Sequence, residues 1–486
     1  MREKIRLTHE TVLSIIIILM LLVSAACDKP ASDKDSTLII YLGVKASTSE
    51  DLDKVNALLD AYVWEKLGFH ARLHMPLNRS QTLLATVQAG DQVDIAYSFA
   101  LSGIYQMVES GYLYPLDELL KEYGQGILDA IDPDYYEFSR LNGSLYAMPT
   151  NRDRHMIFGF EYNQEIAEQY DLDLSDVNTP EDLSAIFEIL RKRAPNIAST
   201  VVVPSVMRYE QVDFLGNGYG VLTQDSGAAV VNLYETEEFY ERVKLFHYWR
   251  QQGYLLDYTQ DAGSVVFYLS SGLVFGCLTY GKVGFEAQES KLCGRKIGFQ
   301  PLSSPYRTSD NQNLAWYIIP STSKNPEQAM QLLNLMYTDK YIANLIMYGV
   351  EGVHYERDGV NPGILHYADD QTSSGYYGPI GWSYCNQYVA DIWEGNDTAV
   401  WEQTEAINHA AVRSYAWGFQ FDSSSVSEQI YNCDSVRDKY LLSLYAGISD
   451  PEETVAAFLQ DLKYAGIDEI IAEKQRQLDI FLQKFK

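Results

Sequence analysis

Four groups of residues stand at spacings that could do chemistry. His70 and His74 have the i, i+4 spacing of a helical zinc pair, but Phe69 to Met75 alternates like a strand. A strand rises about 3.3 Å per residue, so the two imidazoles would stand about 13 Å apart and share no ion. Asp171, Asp173 and Asp176 suggest calcium, yet no loop glycine or terminal glutamate completes an EF-hand, and a surface loop is expected. Gly216-Asn217-Gly218-Tyr219-Gly220 lacks the preceding strand and the spacing of a nucleotide fingerprint. Cys277, Cys293, Cys385 and Cys433 could form two disulfides, with three possible pairings, or stay reduced and buried. These patterns call for no cofactor and no metal.

Charge narrows the field further. The chain of 486 residues carries 37 Lys plus Arg against 66 Asp plus Glu, a net −29 spread along its length. That field repels phosphate backbones, which excludes nucleic acid as a partner. The 37 tyrosines suit contacts with polar ligands through flat amphipathic rings, or buried packing.

The elements that must position any site begin at Leu38-Ile39-Ile40-Tyr41-Leu42, an apolar run expected of a strand buried on both faces. Ser49 could cap a helix carrying Leu52, Val55, Leu58, Leu59, Tyr62 and Val63, stopped by Gly68. A strand over Phe69–Met75, a helix over Ser80–Ala89 and a strand over Val93–Tyr97 follow. Together they predict a βαβαβ unit with a parallel sheet, whose ligands bind beyond the carboxyl ends of strands, near Lys45 and near Tyr97-Ser98. Further on, Thr179 and Pro180 suggest a helix start, and Val201 to Val203 a short strand. Glu237 to Gln252 reads as helical and Val274 to Leu278 as a strand. Asn325-Pro326-Glu327 and Asp450-Pro451-Glu452-Glu453 open two more helices, and Gly466 separates the latter from a final helix to Phe485. Without an obvious linker, the pattern suggests lobes that exchange chain segments.

Arg2, Lys4 and Arg6 precede an apolar run from Val12 to Ala26, which is short for a membrane span and right for a signal-peptide core. Ser24, Ala25 and Ala26 then lead into Cys27, which resembles the lipobox of bacterial lipoproteins, with Ser24 where that motif usually carries Leu. The resemblance implies removal of residues 1–26, lipidation of Cys27 and a flexible tether over 27–37, rich in Asp, Lys, Ser and Pro.

Leu141-Asn142-Gly143-Ser144-Leu145-Tyr146-Ala147-Met148-Pro149-Thr150 and the aromatic strand Ile157–Phe160 follow the family pattern of the extracellular solute-binding proteins of sugar-importing ABC transporters. Ile319-Pro320-Ser321-Thr322-Ser323-Lys324-Asn325-Pro326-Glu327-Gln328-Ala329 matches a family segment where a strand end leads into a helix. Tyr348-Gly349-Val350-Glu351-Gly352-Val353-His354-Tyr355, Gly418-Phe419-Gln420-Phe421-Asp422 and the run from Pro451 to Leu478 resemble a subgroup of these lipoproteins with a C-terminal domain of unknown function. The likeness covers residues 20–486. It implies a two-lobed α/β fold of the periplasmic-binding-protein type II, with a hinge and an extra helical C-terminal region. Lobe I is expected over 38–152 plus 297–340. Lobe II is expected over 153–296 plus 341–486, including the C-terminal module from about 346. Glu351 and His354 are expected to shape the lobe and hinge.

The family closes on its ligand between the lobes and docks on a permease. The implied ligand is a carbohydrate, an oligosaccharide, held on a monomer at the extracellular face of the cell membrane. A pyranose stacks its C–H face on aromatic rings while planar polar side chains bind its hydroxyls. Loop aromatics beside polar residues are therefore the candidates: Tyr97-Ser98, Arg152-Asp153, Thr279-Tyr280, Trp316-Tyr317, and Trp382 with Asn386-Gln387, besides Lys45. Such a receptor catalyses nothing. A secreted glycoside hydrolase would instead need two carboxylates about 5 to 10 Å apart across a cleft. A sensor presenting its ligand state to a membrane kinase would use the same closing motion.

Overall fold

The computed structural model describes residues 37–42, 47–76, 79–202, 209–256, 264–368, 374–378 and 381–484. Cys27, the signal segment, the tether through residue 36, and Lys45 lie outside the described residues. The sequence from Thr37 builds the expected unit: β1 (Thr37–Tyr41), helix α1 (Ser49–Leu67), β2 (His70–His74), α2 (Arg79–Gln88) and β3 (Ile95–Ala100). Thr48, not Ser49, caps α1, accepting from the Asp51 N–H, and Gly68 ends it at φ 76°. β1 lies parallel to both β2 and β3, which places it inside the sheet and explains its apolar run. β4 (Ala147–Pro149) joins the same sheet through a strand that comes later in the chain.

A second sheet holds β5 (Ile157–Asn163), β6 (Ala198–Thr200), β7 (Val274–Gly281) and β8 (Ile297–Pro301) in the order β6-β7-β5-β8. β6 lies three residues before the Val201–Val203 run expected as a strand. The helix expected at Thr179 begins only at Leu183, because the Asp182 carboxylate accepts from the Asn178 and Thr179 N–H groups and holds them in a turn. Between β7 and β8 runs helix α3 (Phe285–Cys293). The chain then returns to the first sheet with β9 (Leu314–Ile318), antiparallel to β3 and β4, giving the order β2-β1-β3-β9-β4.

Helices α4 (Pro326–Thr338) and α5 (Lys340–Tyr348) pack their apolar sides, including Leu332, Leu333, Ile342 and Ile346, into the first core. A small sheet of β10 (Glu356–Arg357), β11 (Ile364–His366) and β12 (Ile392–Trp393) follows. Helices α6 (Val400–Ala410), α7 (Ser427–Tyr445), α8 (Pro451–Ala465) and α9 (Ile467–Lys484) complete the chain. Leu444, Tyr445, Phe458, Leu462 and Ile470 from the last three helices enter the second core with Phe158, Phe187, Phe246 and Trp249. The last three helices therefore pack on the second core.

Two expected boundaries move. β8 belongs to the second sheet, since it pairs with β5, so the return to the first lobe comes after residue 301 and not at 297. Residues 342–347 and 384–390 bury in the first core rather than the second, because the apolar face of α5 finds its complement there. The lobes are joined at 150–156 and 302–313, where Met156 and Tyr306 exchange backbone hydrogen bonds. Arg154 locks this crossing: its guanidinium donates to Gln312 Oε1 at 2.7 Å and Thr150 O at 2.6 Å, and stacks 4.1 Å from the Tyr135 ring centre. All four described cysteines, Cys277, Cys293, Cys385 and Cys433, are free and buried.

Candidate functional site

A cavity of about 570 Å³ opens between the lobes, within the size range of small-ligand sites. The second lobe contributes Lys282 and Val283 after β7, and Gly284, Ala287, Gln288, Lys291, Leu292 and Cys293 from α3 and its cap. The first lobe and the small sheet contribute Tyr348, His354, Tyr376, Tyr377, Gln387 and Trp393, with Asn396 and Trp401 beyond them. Local sequence explains how these walls meet. Gly284 starts α3 at φ 73°, and a Cβ there would lie 2.6 Å from Asn396 Oδ1, so only glycine lets the two walls approach. Gly294 ends the helix in the same left-handed conformation.

Lys291 crosses to the opposite wall. Its Nζ sits 3.2 Å from the Trp393 ring centre, 4.9 Å from Tyr367 and 5.9 Å from Tyr348. Burial pushes this amine down to about 7, with Glu394 acting weakly the other way. At the cavity floor Asp153, on the hinge segment, accepts from Lys282 Nζ at 2.9 Å and Gln387 Nε2 at 3.3 Å. Burial pushes its carboxyl up, but Lys282 and Arg152 outweigh that and hold it below the usual range. One carboxylate thus ties the hinge to both lobes.

His354 is buried and bonded on both nitrogens. Nδ1 accepts from the Val350 N–H at 2.8 Å, so Nε2 carries the proton toward Asp51, 2.9 Å away. Asp51 is held down at about 2 by its bonds to Thr48 first and His354 second. Behind α3, Glu161 on β5 is buried beside Glu289. Burial, then Glu289, push the Glu161 carboxyl up to about 8, and burial pushes the Cys293 thiol up to about 12.

Of the ligand-binding candidates named from sequence, Asp153 and Gln387 reach the cavity. The others are placed elsewhere. Tyr97 and Tyr317 are packed together in the first core with ring centres 5.7 Å apart, and Tyr317 donates to Ser383 O at 3.1 Å. Trp316 is wholly buried, donating to Asn313 O. Ser98 is half-buried on β3, its hydroxyl 3.5 Å from Ala100 O. Arg152 is spent on the backbone oxygens of Asp153 and Asn311. Thr279 faces Gly159 across the sheet, and Tyr280 donates to Tyr209 O at 2.8 Å. Trp382 meets the edge of Phe99, and Asn386 caps a short turn while donating to Tyr337 O. For Trp316 and Tyr317 the cause is that β9 is an interior strand, so its large rings fill the core. Sequence reasoning passed over Lys282, Lys291, Tyr348, Tyr367, Trp393 and Trp401. Trp393-Glu394-Gly395-Asn396, an aromatic beside turn residues and an amide, carried the same kind of signal as the candidates chosen. His70 pairs with Asp60 at 2.9 Å, whereas the His74 ring lies 5.0 Å from that of Tyr41.

Residues 79–352, more than half of the chain, match the family model of bacterial extracellular solute-binding proteins. The chain belongs to that family. This solute-binding protein also matches a domain of unknown function over residues 415–483, the helical module on the second lobe. It is 24% identical over 472 residues, 94% of each chain, to a carbohydrate ABC transporter substrate-binding protein of Streptococcus pneumoniae serotype 4. Its fold is similar to that of an N-glycan transport solute binding protein from Streptococcus pneumoniae (TM-score 0.82, 22% identity, 93% of this chain and 100% of that one). It is also similar to an extracellular solute-binding protein from Bifidobacterium longum subsp. infantis (TM-score 0.61, 13% identity, 92% and 98% covered). The two-lobed fold expected from the sequence is the fold of these relatives, and the family works outside the cell.

Proposed function

We propose that this protein captures an oligosaccharide between its lobes and delivers it to the permease of an ABC importer, held at the membrane by lipid on Cys27. The observation that carries this reading is the interlobe cavity itself. One wall presents Trp393, Tyr367, Tyr377 and Trp401 as stacking platforms, while Asp153, Gln288 and Asn396 offer planar hydrogen-bonding groups. The family match and a relative named for carbohydrate transport support the same ligand class, and solved relatives carry mannose- and N-acetylglucosamine-containing glycans. Among the described residues lining the cavity, Asp153 is the single carboxylate, and Lys282 neutralises it. A hydrolase would need a second across the cleft, so no observation favours catalysis. Delivery to a permease follows from the family's transport role; the monomer and the lipid tether rest on sequence.

Trp393 and Trp401 line the cavity, so tryptophan emission should report binding. Titration with a panel of oligosaccharides should give a saturable change at micromolar or lower concentration, with the sugar recovered intact. Cleaved product, or silence across all saccharides, would overturn the reading.

A further inference from the structure

Glu289 and Cys293 lie one turn apart on α3, a spacing that puts both side chains on the same helix face. That face meets β5, where Glu161 projects from the side of the strand opposite Phe158 and Phe160. One carboxylate oxygen of Glu161, one of Glu289 and the sulfur of Cys293 lie within 4.8 Å of one another, and all three residues are buried. Glu161 is 2% exposed, and its Oε1 has no hydrogen-bonding partner among the described residues. Its other oxygen accepts from the Cys277 sulfur, 4.0 Å away. A buried carboxylate oxygen left without a donor is costly, and two carboxylates beside a thiol compound that cost.

We propose that Glu161, Glu289 and Cys293 bind one divalent transition metal of the zinc class behind the cavity wall. Two hard oxygens with one soft sulfur suit zinc better than calcium or magnesium, which take oxygens alone. Zinc ligands sit about 2.0 to 2.3 Å from the ion, so the three groups need to draw in by only about 1 Å. Cys293 also lines the cavity, which gives the ion a path from the cleft and leaves a fourth position for water. Binding exchanges the protons on these groups for the metal, with no change of oxidation state. The ion would pin α3, the helix that carries Gln288 and Lys291 into the cavity. This inference does not depend on which solute the cavity takes.

The test uses the full secreted chain, stripped with a chelator and titrated with Co2+ and Zn2+. Cobalt should be taken up at one equivalent with a thiolate-to-metal charge-transfer band, and zinc should displace it. A free zinc level a hundredfold above its Kd should raise the melting temperature by about 2 to 5 °C. Glu161→Gln keeps the shape and removes a buried acid, so the metal-free variant should melt no lower than wild type yet lose the zinc-induced rise. Cys293→Ser should abolish the band, and Cys277→Ser should keep it. Weak, multi-equivalent uptake with no thiolate band would mark surface carboxylates as the binder and overturn the proposal. So would a band that survives Cys293→Ser, or a shared proton between Glu161 and Glu289 revealed by metal-independent melting.

Discussion

Lys291→Met keeps the stem that packs in the cavity and removes its charge. In the folded protein the amine faces Trp393 and Tyr367 and loses its proton near pH 7 instead of 10.5. At about 1.36 kcal/mol per pH unit, that gap is worth about 5 kcal/mol against the charged form. A desolvated cation–π contact is worth about 2 kcal/mol, less than this gap, so desolvation wins. Between pH 7 and 10.5 the unfolded chain keeps its proton at this site while the folded chain has released it. The unfolded state then binds more protons, so stability rises with pH across that window. Against Lys291→Met, wild type should gain about 2 kcal/mol between pH 7 and 9, while at pH 6, below both values, the variant should be more stable by about 5 kcal/mol. The comparison matters because Glu161, raised to about 8, pulls the other way: its folded-state proton is retained while the unfolded one is lost, so it weakens the fold as pH climbs from 4.5 to 8. Urea unfolding of both proteins at pH 6, 7, 8 and 9, followed by circular dichroism, isolates the lysine. Parallel stability curves would refute the burial argument for Lys291.

Other substitutions probe the site and its supports. Trp393→Ala removes one indole platform and should weaken solute binding about 10- to 100-fold by calorimetry with the fold intact; unchanged affinity would remove stacking at Trp393 from the proposed site. Lys474→Met should cost about 1 to 3 kcal/mol in chemical denaturation: this wholly buried amine on α9 donates to the Phe214, Asn217 and Gly220 carbonyls and ties the C-terminal module to the second lobe, a loss partly offset because burial pushes the amine down to about 7. Gly349→Ala should cost about 3 kcal/mol by the same measure, since φ is 90° there and a Cβ would collide with His354 Nδ1. An unaltered midpoint in either variant would contradict the assigned role.

Local chemistry is legible in the amino-acid sequence alone. The alternation of strand and helix through residue 100 and the stops at Gly68 and Gly466 depend on neighbours a few residues apart, so periodicity and caps suffice to read them. The order of motifs along the chain likewise points to the family, because each is a local segment. The cavity is different. Lys291 and Trp393 are about a hundred residues apart and meet only because α3 of one lobe faces the small sheet beside the other. Trp316 and Tyr317 look like platforms in sequence and are core in fact, since β9 is flanked by β3 and β4. Whether a ring stacks on a ligand or fills a core depends on the layers packed above and below its strand. Only the tertiary structure holds that information, because burial is a property of the whole packing and not of a residue's neighbours in the chain.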